Sequence, residues 1–209
     1  MRTFMLKIFF FLFISMSCHC VAQSKNMLAV QIYTENQLLD LIKHNKHLSQ
    51  VVLDDCQLVQ DIEARAVKAK KPSYEYLWGD MLAFGVCVKK NVPLGLHYME
   101  LSAEQGLSEG IEQLGRYYHQ GKFVQPDIKK AIKYLKRAAS IGNLNAQIRL
   151  AKIYNTGQGS PLDYPILYSQ LHHAITPDKK QHKKISLLLT QLANKLPSQV
   201  VDKAKQTIY

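Results

Sequence analysis

Acidic residues are in short supply in this chain. Sixteen Asp and Glu stand against 27 Lys and Arg, giving a formal charge of +11 over 209 residues. Catalytic signatures are missing as well. There is no Gly-Xaa-Ser-Xaa-Gly elbow, no phosphate-binding loop and no dinucleotide fingerprint. The carboxylate pairs Asp54-Asp55 and Asp61/Glu63 read as helix-start acids and exposed helix charges, since acid–base work needs a pocket and tuned pKa values. His172, His173 and His182 lack the further Cys, Glu or His that a metal-ligand spacing would need. These gaps predict a protein that is not an enzyme, holds no metal or cofactor and takes no small-molecule substrate. Low-complexity tracts are absent too, and nothing marks a second domain.

Long apolar runs are also lacking. The longest, Ile8 to Ile14 with Ser15 and Met16 after it, is about half the roughly 20 residues of a spanning helix. Arg2 and Lys7 precede it, and Cys20-Val21-Ala22 supplies small residues at −3 and −1. This predicts a cleaved secretory signal over 1–22 and a periplasmic mature chain. The alternative is a retained membrane anchor. A lipoprotein is disfavoured, because neither Cys18 nor Cys20 follows the Leu and small-residue pattern of a lipobox.

Export would leave Cys56 and Cys87 as the remaining cysteines. Two cysteines in an oxidising compartment predict one disulfide. It would close a loop of about 32 residues, a contribution of about 3–4 kcal/mol in the chain-entropy picture. Two separate buried thiols are the alternative. Loss of Arg2 and Lys7, with no acid in the first 22 residues, leaves a charge of +9. Export argues against nucleic acid, and charge alone leaves anionic lipid or an acidic protein as partners.

What is present is a repeat of about 36 residues. Trp78-Gly79 aligns with Leu114-Gly115 and Leu150-Ala151. Gly85 aligns with Gly121 and Gly157, Leu82 with Tyr118 and Tyr154, and Asn91 with Asp127 and Asp163, three expected N-caps in one register. Such a period predicts an all-α stack of helix pairs, each burying its apolar face on its neighbour. In the second pair, helix A spans about 109–120, with Leu114 and Tyr118 facing the core and Gly121 ending it. Asp127 is a natural N-cap for helix B, whose inner face is Ile128, Ala131, Ile132, Leu135, Ala138 and Ala139. The third repeat decays, as terminal repeats often do. In front, Thr34 and Gln37 fit a capping box for a helix over about 35–45, and a second helix is expected over about 55–70, started by Asp54-Asp55. Behind, a Lys-rich helix over about 178–195 carries Ile185, Leu188 and Leu192 on one face, and a short helix follows at 199–207. The expected organisation is a signal at 1–22, a helical cap at 23–72, repeats at 73–108, 109–144 and 145–178, and capping helices at 179–209.

The candidate contact residues are of two kinds. Lys129, Lys130, Lys133, Lys136 and Arg137 lie opposite the apolar face of helix B; they could dock an acidic partner, or form a solvated face. Tyr117 and Arg116, at the end of helix A, belong to residue types favoured in binding hot spots, with packing on the next repeat as the alternative.

The segment Leu114-Gly115 to Tyr118 and Gly121, followed by Asp127, Ala131, Ala138-Ala139 and Gly142, resembles a Sel1-like repeat, a relative of the tetratricopeptide repeat whose members mostly serve as adaptors. Longer strings resemble something narrower. Asp54-Asp55-Cys56-Gln57-Leu58-Val59-Gln60-Asp61-Ile62-Glu63-Ala64-Arg65 and Leu77-Trp78-Gly79-Asp80-Met81-Leu82-Ala83-Phe84-Gly85-Val86-Cys87 closely resemble the MotX family of the sodium-driven polar flagellar motor. Ile32 to Leu38 and Glu112 to Tyr118 extend that resemblance over most of the chain beyond the signal. It implies a periplasmic part of the flagellar basal body that forms the T ring with a MotY-like protein and helps hold the stator through a PomB-like subunit. It also supports a bond between Cys56 and Cys87, which fall in the family's cysteine-bearing strings. The rival reading is a periplasmic Sel1-like adaptor or regulator unconnected with motility.

Overall fold

A computed structural model describes residues 31–207. The expected signal over 1–22 and the first residues of the expected cap, 23–30, lie outside the described residues. Within them the fold is all-α, and Ile32 lies in coil with no strand formed. Three short helices come first: α1 (Glu35–Lys43), α2 (His47–Leu53) and α3 (Val59–Val67). Three pairs follow: α4 (Pro72–Phe84) with α5 (Val92–Glu104), α6 (Ser108–Gln120) with α7 (Ile128–Ser140), and α8 (Leu144–Asn155) with α9 (Tyr164–His172). The chain ends in α10 (Lys179–Ala193) and α11 (Ser198–Gln206). Each pair packs on its sequence neighbours, the arrangement of a helical solenoid.

Local signals explain most boundaries. Thr34 and Gln37 form a reciprocal capping box on α1. Asn91 accepts from the Leu94 amide, and Asp127 from the Lys130 amide, at the starts of α5 and α7. Gly85 and Gly121 end α4 and α6 in the left-handed region, at φ 74° and 68°. Pro72 opens α4, where a missing N–H costs nothing.

Two starts differ from the sequence reading. Asp54-Asp55 opens no helix. Asp54 ends α2, and Asp55 and Cys56 turn through positive φ before α3 begins at Val59. Asp54 is instead held from two sides, accepting from the Tyr33 hydroxyl at 2.6 Å and the Gln50 amide at 3.0 Å. Asp163 does not cap α9 by a side-chain bond. A 3-10 turn over Pro161–Asp163, capped by Ser160, displaces it, and its carboxylate meets Lys136 instead.

Close approach explains the paired glycines of the first repeat. A Cβ on Gly95 would lie 2.6 Å from the Gly79 carbonyl oxygen and 2.7 Å from the Ala83 nitrogen, both backbone atoms. The α4 and α5 backbones therefore touch at a point only glycine admits. The core divides in two. Tyr33, Leu38, Ile42, Val51, Leu58, Ile62 and the apolar face of α4 form a front cluster. Met99, Ala103 and the buried residues of α6 to α11 form a second. The Cys56–Cys87 disulfide, with Cα atoms 5.6 Å apart, joins the turn before α3 to the loop after α4.

Candidate functional site

A chain expected to work by contact is read through its charged faces and the side chains free on them. Three groups stand out: a buried polar network at the junction of the two cores, the outer face of α7, and a groove between α8 and α10.

The network centres on Asp80, in the middle of α4 and 2% exposed. His47 Nε2 of α2 lies 2.7 Å from its Oδ2. The Tyr117 hydroxyl of α6 donates to Oδ1 at 3.0 Å, and the Gln113 amide reaches the same oxygen at 3.4 Å. Arg116 donates to Gln113 Oε1 and lies over the Tyr117 ring at 5.3 Å. Burial pushes the Tyr117 hydroxyl well above the usual tyrosine range, and the neighbouring Asp80 charge adds to the shift. Of the two readings of Tyr117, contact and packing, its position inside the chain is that of a packed residue. Tyr117 is 0% exposed, while Tyr118, expected in the core, is half-buried and stacks on Tyr134 at 5.8 Å. The physical reason is that the Tyr117 hydroxyl has a buried carboxylate to meet, which Tyr118 has not. Arg116 is held by Gln113 and Tyr117, so its guanidinium is engaged within the chain.

The basic run of α7 divides around the helix. Lys129, Lys133 and Lys136, with Ile132, Ser160 and Asp163, line a depression of about 400 Å³. Lys136 Nζ is paired with Asp163 Oδ1 at 2.6 Å, which leaves Lys129 and Lys133 as its uncommitted cations among the described residues. Lys130 turns the other way, over the Tyr118 ring at 5.1 Å, and Arg137 reaches the Glu104 carbonyl at 3.5 Å. The seven residues singled out in the sequence thus belong to four separate settings.

The groove between α8 and α10 escaped the sequence reading. Asn145, Arg149, Lys152, Asp178, Lys180, Gln181 and Lys184 line one cavity of about 300 Å³. Lys152 also lines the next one, with Asn155, Gln191 and Lys195. Burial lowers the Lys152 pKa, and Lys184 and Arg149 lower it further by repulsion. His119 of α6 is lowered by burial and then by Arg149 and Lys152. One signal for the groove was available: Lys152 falls one repeat after Arg116. The Lys-rich α10, however, lies outside the period that made the repeat visible.

Comparison with known proteins agrees with this architecture. The Sel1 repeat model matches residues 72–107, 108–143 and 144–166. A Sel1 repeat protein from Oxalobacter formigenes, of known crystal structure, superposes with a TM-score of 0.52 at 22% identity, covering 61% of this chain and 96% of that one. An uncharacterized protein of Neisseria meningitidis serogroup B is 30% identical over 86 residues, 41% of this chain and 18% of its own length. The sodium-type polar flagellar protein MotX of Vibrio parahaemolyticus is 52% identical over 177 residues, 85% of this chain and 84% of its own length. That match spans the cap as well as the repeats, and the chain belongs to the MotX family of sodium-type polar flagellar proteins, built on Sel1 repeats.

Proposed function

We propose that the protein is a periplasmic structural component of the sodium-driven flagellar motor that forms the T ring with a MotY-like protein and helps place the stator through a PomB-like subunit. The carrying observation is the 52% identity to a sodium-type polar flagellar protein over 85% of the chain. Identity at that level across cap and repeats alike argues for a shared role, where a repeat alone would argue only for a shared fold. The proposed work is contact: a solenoid offers broad faces set by its repeats, and here those faces are basic. The chain would position other proteins and carry neither the ion nor a reaction.

A clean deletion strain tests this. Flagella counted by electron microscopy should be present in normal number, and tethered cells should fail to rotate. Rotation at the parental speed would overturn the reading. Release of the protein by osmotic shock, with a mature N-terminus near residue 23, is the expected outcome for the proposed compartment.

A further inference from the structure

The groove between α8 and α10 has more unengaged charge than any other face described. It runs along α8 from Asn145 to Thr156, roughly 17 Å at about 1.5 Å per residue. That length matches about five residues of extended peptide at about 3.3 Å each. Arg149, Lys152, Lys180, Lys184 and Lys195 line it. Its two nearby carboxylates are already committed. Asp178 accepts from the Lys180 and Gln181 amides as the N-cap of α10, and Glu112 accepts from Arg149 Nε at 3.1 Å. Among the described residues the four lysines have no ion-pair partner.

A second observation points to a peptide in particular. The Asn155 side-chain oxygen is buried at the groove with no hydrogen-bond partner within the protein, while its amide nitrogen donates to Gln191 at 3.0 Å. An unpaired buried acceptor is costly, and a turn of the Asn155 side chain toward the groove would let a backbone N–H of an extended segment satisfy it. Buried Leu188 gives the same stretch an apolar floor. Cations spaced along a channel, an orphan acceptor and an apolar floor together suit alternating side chains better than a compact anion.

We propose that the α8–α10 groove is the docking site for an extended acidic segment of a partner protein, with Lys152 and Lys184 taking carboxylates and Asn155 taking a backbone amide. This rests on the reading of the chain as a motor component that works by protein contact. The α7 face is the weaker candidate, because its best-placed lysine already holds Asp163.

The test uses the full mature chain and a fluorescent six-residue peptide of alternating aspartate and alanine, blocked at both ends. Binding should be saturable. The double variant Lys152→Glu with Lys184→Glu should weaken it by about tenfold or more. The control double variant Lys129→Glu with Lys133→Glu, of equal charge change on α7, should weaken it by no more than about twofold. Asn155→Ala should weaken it by about fivefold. Circular dichroism melts of the surface charge variants should match the parent. Equal loss in both double variants would mean a response to net charge only, and would overturn the proposal. So would displacement by inorganic phosphate at the same concentration as by unlabelled peptide, or full binding of an asparagine-for-aspartate peptide. These results stand apart from the deletion strain: paralysed flagella with no peptide binding would retain the motor role and remove this groove from it.

Discussion

The front and back of the solenoid are held together by different means. In front, three short helices of nine, seven and nine residues meet α4, and helices of that length are marginal alone. The junction is secured by side-chain bonds and one covalent link: Asp80 with His47, Tyr117 and Gln113, Tyr33 with Asp54, and Cys56 with Cys87. At the back, α6, α7, α8 and α10 run twelve to fifteen residues, with the nine-residue α9 and α11 packed against them, and they stack largely through small and aliphatic side chains, among them Ala131, Leu135, Ala138, Ala139, Ala146 and Ala151. Repetition supplies the back with a matching neighbour for each apolar face. The front has no preceding repeat, so its helices are fastened individually. α4 takes the consequence: it is buried on almost every side, Glu75 and Asp80 included.

Breaking the Asp80 network should give the largest effect. Asp80→Ala leaves His47, Gln113 and Tyr117 without their shared acceptor, and about 3–5 kcal/mol of stability should be lost, read by denaturant unfolding. Cys87→Ser should cost about 3–4 kcal/mol. Hydrogen exchange should show the loss localised to α1–α3, with α8–α10 unchanged; even loosening of both halves would erase the contrast. Gly95→Ala probes the backbone contact of α4 with α5 and should cost about 1–3 kcal/mol or more, since neither facing backbone atom can yield freely.

Alkaline pH sharpens the picture at the junction. Burial raises the Tyr76 and Tyr117 pKa values well above the usual range. The folded state therefore keeps protons that the unfolded state releases above pH about 10. Stability should fall as pH rises through that value, by about 1.4 kcal/mol per pH unit for each tyrosine still protonated when folded. Asp80→Asn should narrow the pH range of this loss only in part, because burial is the first cause for both. The smallest effect belongs to the outer face of α7. Lys136 is 48% exposed, and Lys136→Ala should cost less than about 1 kcal/mol despite its short bond to Asp163.

The sequence could be read where a local rule was sufficient. The capping box at Thr34, the caps Asn91 and Asp127, the glycines at 85 and 121 and the apolar stripe of α10 depend on residues within a turn or two of one another. Residues 54–58 and Asp163 misled the same rules, because an acidic residue before a helix caps it only if no better partner is within reach. Tyr33 and Gln50 claimed Asp54, and Lys136 claimed Asp163. The α8–α10 groove was invisible for a related reason: its two walls are separated by α9 in the chain.

Sequence alone determined the all-α class, the 36-residue period, the basic balance and the membership of the MotX family, since each is a property of residue order or composition. Tertiary structure decided which of Tyr117 and Tyr118 is core, whom Asp80 serves, and which of the many lysines stay unpaired. A period of 36 residues sets where each helix recurs, but one position along a helix is a rotation of about 100°. Only packing against α2, α4 and α10 selects the face that turns inward and the charges that remain free.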